Sequence, residues 1–269
     1  MSVKMILSGI ALLVIGLNTI GSTNVTGASG ADKTAVSGAV IVNEDDYPVR
    51  KETRQTFQIS PKGAIDVSGI EGAVEVETTS GGAVEMIFVR EAMTQTDFDC
   101  DTINIQTSAD SLVIRHQSKK EKQCRIIRAR EHLKLSVPRS ANLSFNYIEG
   151  SFSVGATEGL LRLGWIEGDV KIEQARAAEI SWIEGALSLN VAEINSPGIN
   201  INWIEGSVNL GLNKNLNANL EINSAKVQIE SLDTQTSSTG RKNHQFRLGA
   251  GGENISISNI ENGVKIRGI

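Results

Sequence analysis

Four segments of this chain repeat almost residue for residue. They read Leu143-Ser-Phe145-Asn-Tyr147-Ile148-Glu149-Gly150, Leu161-Arg-Leu163-Gly-Trp165-Ile166-Glu167-Gly168, Ile180-Ser-Trp182-Ile183-Glu184-Gly185 and Ile199-Asn-Ile201-Asn-Trp203-Ile204-Glu205-Gly206. Their glutamates lie 18, 17 and 21 residues apart, and each copy runs into an alternating pair: Phe152/Val154, Val170/Ile172, Leu187/Leu189 and Val208/Leu210. Weaker copies stand at the two ends. Ile65-Asp-Val67-Ser-Gly69-Ile70-Glu71-Gly72 leads into Val74 and Val76, and Ile255-Ser-Ile257-Ser-Asn259-Ile260-Glu261-Asn262-Gly263 leads into Val264 and Ile266. Apolar residues at every second position, with no helical stripe anywhere, make the chain all-β.

Two architectures fit such a unit. In one, Glu-Gly is a two-residue hairpin turn, with Trp165 opposite Val170 and Leu163 opposite Ile172. Tight hairpins want positive φ at both central residues, where Glu is a poor choice beside Asn or Asp. In the other, Ile-Glu-Gly is a corner, and each unit of 17–21 residues is one coil of a parallel β-solenoid (a β-helix or β-roll). Identical residues then stack from coil to coil, which explains why the copies are so literal. The solenoid is therefore the expected fold, and the low Pro count of 4 agrees with it, because Pro removes ladder donors. Glycine at the corner implies positive φ or a close backbone approach. Residues 87–138 lack the motif and are expected to form an irregular, partly antiparallel insertion.

Met1-Ser-Val-Lys4 precedes an apolar run from Met5 to Leu17, and small residues follow from Thr26 to Ala31. This is the pattern of a secretory signal over 1–30; an uncleaved membrane anchor is the alternative, though the run is short for a span. Residues from about Ser22 to Gly38 are rich in Ser, Thr, Gly and Ala, and a flexible tether over 31–52 leads to a folded domain at 53–269. The chain is thus expected to be exported, to the periplasm or the cell surface. In such an oxidising compartment Cys100 and Cys124, the two cysteines, are expected to form a disulfide. A net charge of −5 gives no reason to expect a nucleic-acid partner. With 3 His and 2 Cys, no multi-ligand transition-metal site is expected, nor any cofactor besides the calcium considered below.

The stretch Gln55-Thr-Phe57-x-Ile59-x-Pro-x-Gly63-x-Ile65-x-Val67, with a closing Gly251-Gly252-x-x-Ile255-x-Ile257-x-Asn259-Ile260-x-x-Gly263-x-x-Ile266, resembles the bacterial putative adhesin family of β-strand-repeat proteins (domain of unknown function 4097). The resemblance spans roughly residues 53–269. It implies an exported, non-catalytic β-solenoid displayed on the cell envelope, and it brings no catalytic residues. Family members typically carry Ser-Gly-Asp or similar where this chain has Ile-Glu-Gly.

Two rows of repeated residues are candidate sites. Tyr147, Trp165, Trp182 and Trp203 share one repeat position, a ladder with rungs about 4.8 Å apart. Their strand parity matches inward residues such as Leu163 and Ile201, which predicts a packed core stack; the functional reading is a stacking platform for glycan rings. Glu149, Glu167, Glu184 and Glu205, extended by Glu71 and Glu261, form a second row. It is expected to be solvated, or neutralised by calcium or a basic partner. From Arg115 to Arg139, nine Lys or Arg stand against Glu121 and Glu131. This is either a solvated face or a contact for anionic envelope polymers or lipid head groups. His116, His132 and His244 fall in no ligand or triad spacing. The expected function is a non-catalytic, adhesin-like scaffold or binding module of the envelope. The alternatives are a polysaccharide-active β-helix enzyme using paired carboxylates of the glutamate row, and an accessory protein of envelope-stress signalling.

Overall fold

The computed structural model describes residues 47–124 and 128–269. The signal segment expected at 1–30 lies outside the described residues, as does most of the tether. Period-two patterning yields strands throughout, beginning with β1 (Val49–Gln58), β2 (Ala64–Ile70), β3 (Gly72–Thr79) and β4 (Ala83–Ala92). Among the described residues regular structure starts at Val49, four residues before the expected boundary. A six-residue helix, α1 (Gln95–Cys100), follows, its Thr94 cap accepting the Asp97 N–H. Next come β5 (Asp101–Thr107), β6 (Ser111–Ser118), β7 (Ala129–Pro138), β8 (Asn142–Ile148), β9 (Phe152–Leu163), β10 (Val170–Ile183), β11 (Leu187–Val191), β12 (Ile199–Ile204) and β13 (Val208–Leu212). The chain closes with β14 (Ala218–Asn223), β15 (Val227–Glu230), β16 (Thr234–Thr239), β17 (Asn243–Leu248), β18 (Asn254–Ile260) and β19 (Val264–Gly268). All belong to one large, mostly parallel sheet.

The repeat units pair in parallel and in register. Phe145 lies beside Leu163 and Leu163 beside Ile180, while Phe152, Val170, Leu187 and Val208 form a second series. The antiparallel pairing of Trp165 with Val170 does not occur. Each layer has one strand before the Ile-Glu-Gly corner and one after it, and the corner backbone itself is laddered. The N–H of Glu167 donates to the Ile148 carbonyl, that of Glu184 to Ile166, and that of Glu205 to Ile183.

The layers do not follow sequence order at the ends. The ladder before the corner runs β6-β2-β8-β9-β10-β12-β18-β14. The ladder after it runs β7-β3-β9-β10-β11-β13-β19-β15. The final unit, β18 with β19, is inserted between the β12/β13 and β14/β15 layers. All six Ile-Glu corners, from Ile70-Glu71 to Ile260-Glu261, are therefore contiguous in space, and the two layers without the motif are outermost. Antiparallel strands cover three of the four ladder ends: β5 on β6, β4 and then β1 on β7, and β17 and then β16 on β14. The fourth ends on the four-residue β15, too short to template further pairing.

Residues 87–138 are more regular than the sequence implied. Besides their antiparallel strands they build a full parallel layer from β6 and β7, with Leu112, Ile114, Leu133, Leu135 and Val137 buried in the common core. This is an end layer, with a neighbouring corner on one side only, so nothing selects like-on-like residues there. Cys100 and Cys124 are bonded across 24 residues and tie the end of α1 to the turn between β6 and β7. A cross-link of that span contributes about 3 kcal/mol in the chain-entropy account.

Gly72, Gly150, Gly168, Gly185 and Gly206 occupy one column. A Cβ on Gly168 would stand 2.6 Å from the Gly150 carbonyl carbon, and one on Gly185 equally close to Gly168. Of the two reasons for a corner glycine, close backbone approach is the one that applies. Beside the column, Ile70, Ile148, Ile166, Ile183, Ile204 and Ile260 all point into the core.

Candidate functional site

The aromatic row is exposed, contrary to the parity argument. Tyr147, Trp165, Trp182 and Trp203 are 55, 41, 47 and 54% accessible, while the isoleucine after each is buried. The reason is local backbone. Tyr147, Trp182 and Trp203 have φ of 55, 56 and 58°, the left-handed region. One left-handed residue breaks the two-residue alternation, so the aromatic turns out and the next residue turns in. Trp165 follows Gly164 and is not left-handed; its N–H is held by Asn146 Oδ1 at 2.9 Å. Successive ring centroids lie 5.7, 6.3 and 5.6 Å apart, the first two pairs tilted and the last stacked. In the flanking layers the equivalent positions are Gly69 and Asn259, also left-handed at 79 and 56°.

Five of the six repeated glutamates form one exposed row, while Glu71 is only partly exposed and turns to His116. Glu149, Glu167, Glu184, Glu205 and Glu261 are exposed, one per layer, beside the aromatic ladder. Trp165 Nε1 donates to Glu184 Oε1 at 3.2 Å. Elsewhere, acids one layer from a base are paired, as in Arg162–Glu179 (2.8 Å), Arg176–Glu193 (3.0 Å) and Lys265–Glu230 (3.1 Å). Among the described residues, none of these five glutamates has an ion-pair partner. Partial desolvation, then the charges of Glu149 and Glu184, hold the Glu167 carboxyl above the ordinary glutamate range. A raised folded-state value means stability that is present below the ordinary glutamate pKa and lost as pH rises through the folded one. Glu167→Gln is therefore expected to raise the melting temperature at pH 7 and to lose that advantage near pH 4, as thermal scans across pH will test. Calcium bridging the row would show as a melting-temperature rise that sodium at equal ionic strength does not reproduce.

The sequence reading missed a buried charged cluster beside the first corner. Arg90 on β4 donates through Nη2 to Asp101 Oδ2 at 2.8 Å and to the Asp97 carbonyl, and its Nη1 lies 3.7 Å from Glu131 Oε1. Phe98 covers the guanidinium, 5.4 Å from centroid to Cζ. Glu131 on β7 accepts the Glu71 N–H. His116 on β6 sits between Asp101 (3.3 Å) and Glu71 (3.5 Å). Burial pushes the Glu131 and Glu71 carboxyls up, against the pull of His116 and Arg90. No fixed spacing marks these residues, which come from five segments. One signal was available: Arg90 and Glu131 fall at inward parity in Val84-x-Met86-x-Phe88-x-Arg90 and Glu131-x-Leu133-x-Leu135.

Part of the basic stretch 115–139 is already neutralised, with Lys134 on Glu77, Arg130 on Glu91, and His132 3.7 Å from Glu75. A shallow surface groove of about 680 Å³ is lined by Thr78, Thr79, Arg139, Gly155, Lys171 and Glu173, among others, and by no member of the glutamate row. No helix among the described residues is long and apolar enough to cross a membrane.

No family model and no curated protein matches the chain. Among solved structures, a putative cell adhesion protein from Clostridium sporogenes is 10% identical over 82% of this chain and 100% of that one, with a TM-score of 0.47. A putative adhesin from Bacteroides fragilis is 11% identical over 82 and 99%, with a TM-score of 0.37. A putative lipid binding protein from Parabacteroides distasonis is 12% identical over 80 and 96%, with a TM-score of 0.30. Identities this low leave ligand and activity to be argued from the residues of this chain.

Proposed function

We propose that this chain is an exported, capped parallel β-solenoid of the adhesin-like class, and that its aromatic corner binds an extended envelope polysaccharide without catalysis. The observation that carries the reading is a backbone cost. Left-handed φ costs a residue with a Cβ about 1–2 kcal/mol, and Gly or Asn is the usual occupant. Gly69 and Asn259 fill that position in the flanking layers, yet Tyr147, Trp182 and Trp203 hold it in the middle ones. Bulky rings in strained backbone with half their surface in water gain little for the core, and such strain collects at binding sites. A row of rings at the layer period suits a ligand that is itself a linear repeat.

The flanking glutamates favour hydroxyl or ammonium donors on that polymer and repel anionic lipid surfaces from this edge. They stand on an exposed corner and not around a cleft, so they do not converge on one bond as a hydrolase requires. Export and the Cys100–Cys124 disulfide belong to the same reading, since such bridges persist in oxidising compartments.

Titration with soluble envelope glycans is expected to shift tryptophan emission, and the double variant Trp182→Ala, Trp203→Ala is expected to weaken retention about tenfold or more, as for central aromatic anchors. Emission that no glycan alters, together with equal retention of the variant, would defeat the proposal. Binding to anionic liposomes at physiological salt that survives in the double variant would move the contact to the basic stretch.

A further inference from the structure

We propose that Asp101, His116 and Glu71 form a binding site for one divalent transition-metal ion of the zinc class. Their donor atoms all lie within 4.8 Å of one another. His116 Nδ1 is 2.8 Å from the Gly69 carbonyl oxygen, which can only accept, so Nδ1 carries a proton, and in the neutral tautomer Nε2 presents a lone pair. A ring N–H fixed on a backbone carbonyl is the usual support of a metal-ligating histidine.

That lone pair faces Asp101 Oδ1 at 3.3 Å. The Asp101 side chain is fully buried, that of His116 is 7% exposed, and neither facing atom has a hydrogen-bond partner. Imidazolium against carboxylate would close to about 2.7–2.9 Å. Two ligand atoms bound at about 2.0–2.1 Å to one tetrahedral ion stand about 3.3–3.4 Å apart, which is the spacing found.

Charge points the same way. In the neutral tautomer that a metal ligand requires, His116 no longer offsets the carboxylates of Asp101, Glu131 and Glu71 as it does when protonated, and a divalent ion takes over that role beside Arg90. Arg90 meanwhile orients Asp101 through its other oxygen at 2.8 Å. Glu71 Oε1 lies 3.5 Å from the protonated Nδ1, so this one-third-exposed carboxylate has to turn toward Nε2 to become the third ligand, with water as the fourth. One imidazole with two carboxylates suits zinc and its neighbours better than calcium. Counting only His and Cys hides such a site. It would clasp β5 and β6 to the first corner, next to the disulfide, and it is independent of the glycan reading.

The test uses untagged full-length protein stripped with EDTA. Zinc chloride, followed by calorimetry and thermal melting, is expected to bind one ion per chain and raise the melting temperature. Cobalt(II) is expected to give the visible absorption of a four- or five-coordinate site. Glu71→Gln, at a partly exposed position that should still fold, is expected to lose at least about tenfold in zinc affinity, whereas His132→Ala and His244→Ala leave it unchanged. The site is refuted by absence of stoichiometric uptake, by affinity unchanged in both Glu71→Gln and His116→Gln, or by nitrogen-15 spectra showing both His116 ring nitrogens protonated in excess zinc.

Discussion

Arg90→Met is expected to lower the unfolding free energy by about 3–5 kcal/mol at neutral pH, the range for removing one partner of a buried ion pair. The guanidinium is the sole cation touching Asp101 and Glu131 among the described lysines and arginines, and both acids are buried. Without it, two carboxylates remain in the interior with one positive neighbour at most, His116. Methionine keeps most of the volume and the contact with Phe98, so the loss reports charge and not a cavity. Urea unfolding of the two proteins side by side measures it. The control is Arg162→Met: its partner Glu179 lies at the same 2.8 Å, but the Arg162 side chain is 53% exposed. Water already screens that pair, so its loss should cost less than about 1 kcal/mol. Equal effects at the two positions would show that Arg90 does not sit in the low-dielectric setting described here.

Gly168→Ala is expected to cost about 3 kcal/mol, the upper part of the usual range for overpacking a close-packed interior. The added Cβ would be 2.6 Å from the Gly150 carbonyl carbon, and that neighbour is backbone, which cannot rotate aside. Relief requires separating the two layers, which lengthens the corner hydrogen bond from Glu167 N–H to the Ile148 carbonyl. Gly81→Ala supplies the comparison, because its Cβ would meet only Thr79 Oγ1, at 3.8 Å. There the effect should be near zero. Denaturant midpoints for both variants decide the matter. A mild Gly168→Ala would mean that the layers are farther apart than the ladder implies.

Much of the candidate edge was legible in the chain because it is made of local repeats. A literal Ile-Glu-Gly every 17–21 residues makes sense only if equivalent residues meet one another. The glutamate row and the glycine column came from that one inference, whereas the buried corner isoleucines did not, because inward aromatics would have turned them outward. The aromatic orientation was misread because parity assumes an unbroken strand, and a single left-handed residue at Tyr147, Trp182 or Trp203 reverses it. Nothing in the composition announces that torsion, since Gly or Asn is the residue that normally signals it.

From its own sequence the chain determined the class, the parallel like-on-like stacking and the alternating residues that fill the core away from the corner. Periodicity is a local property, and burial enforces it residue by residue. Tertiary structure alone decided that β18 and β19 slip between earlier layers, that β6 and β7 complete an end layer, and that Arg90, Asp101, His116 and Glu131 meet beside Glu71. Those outcomes depend on which strand edges remain free to pair once neighbouring layers are in place. That is a contest among distant segments, and no local pattern encodes its result.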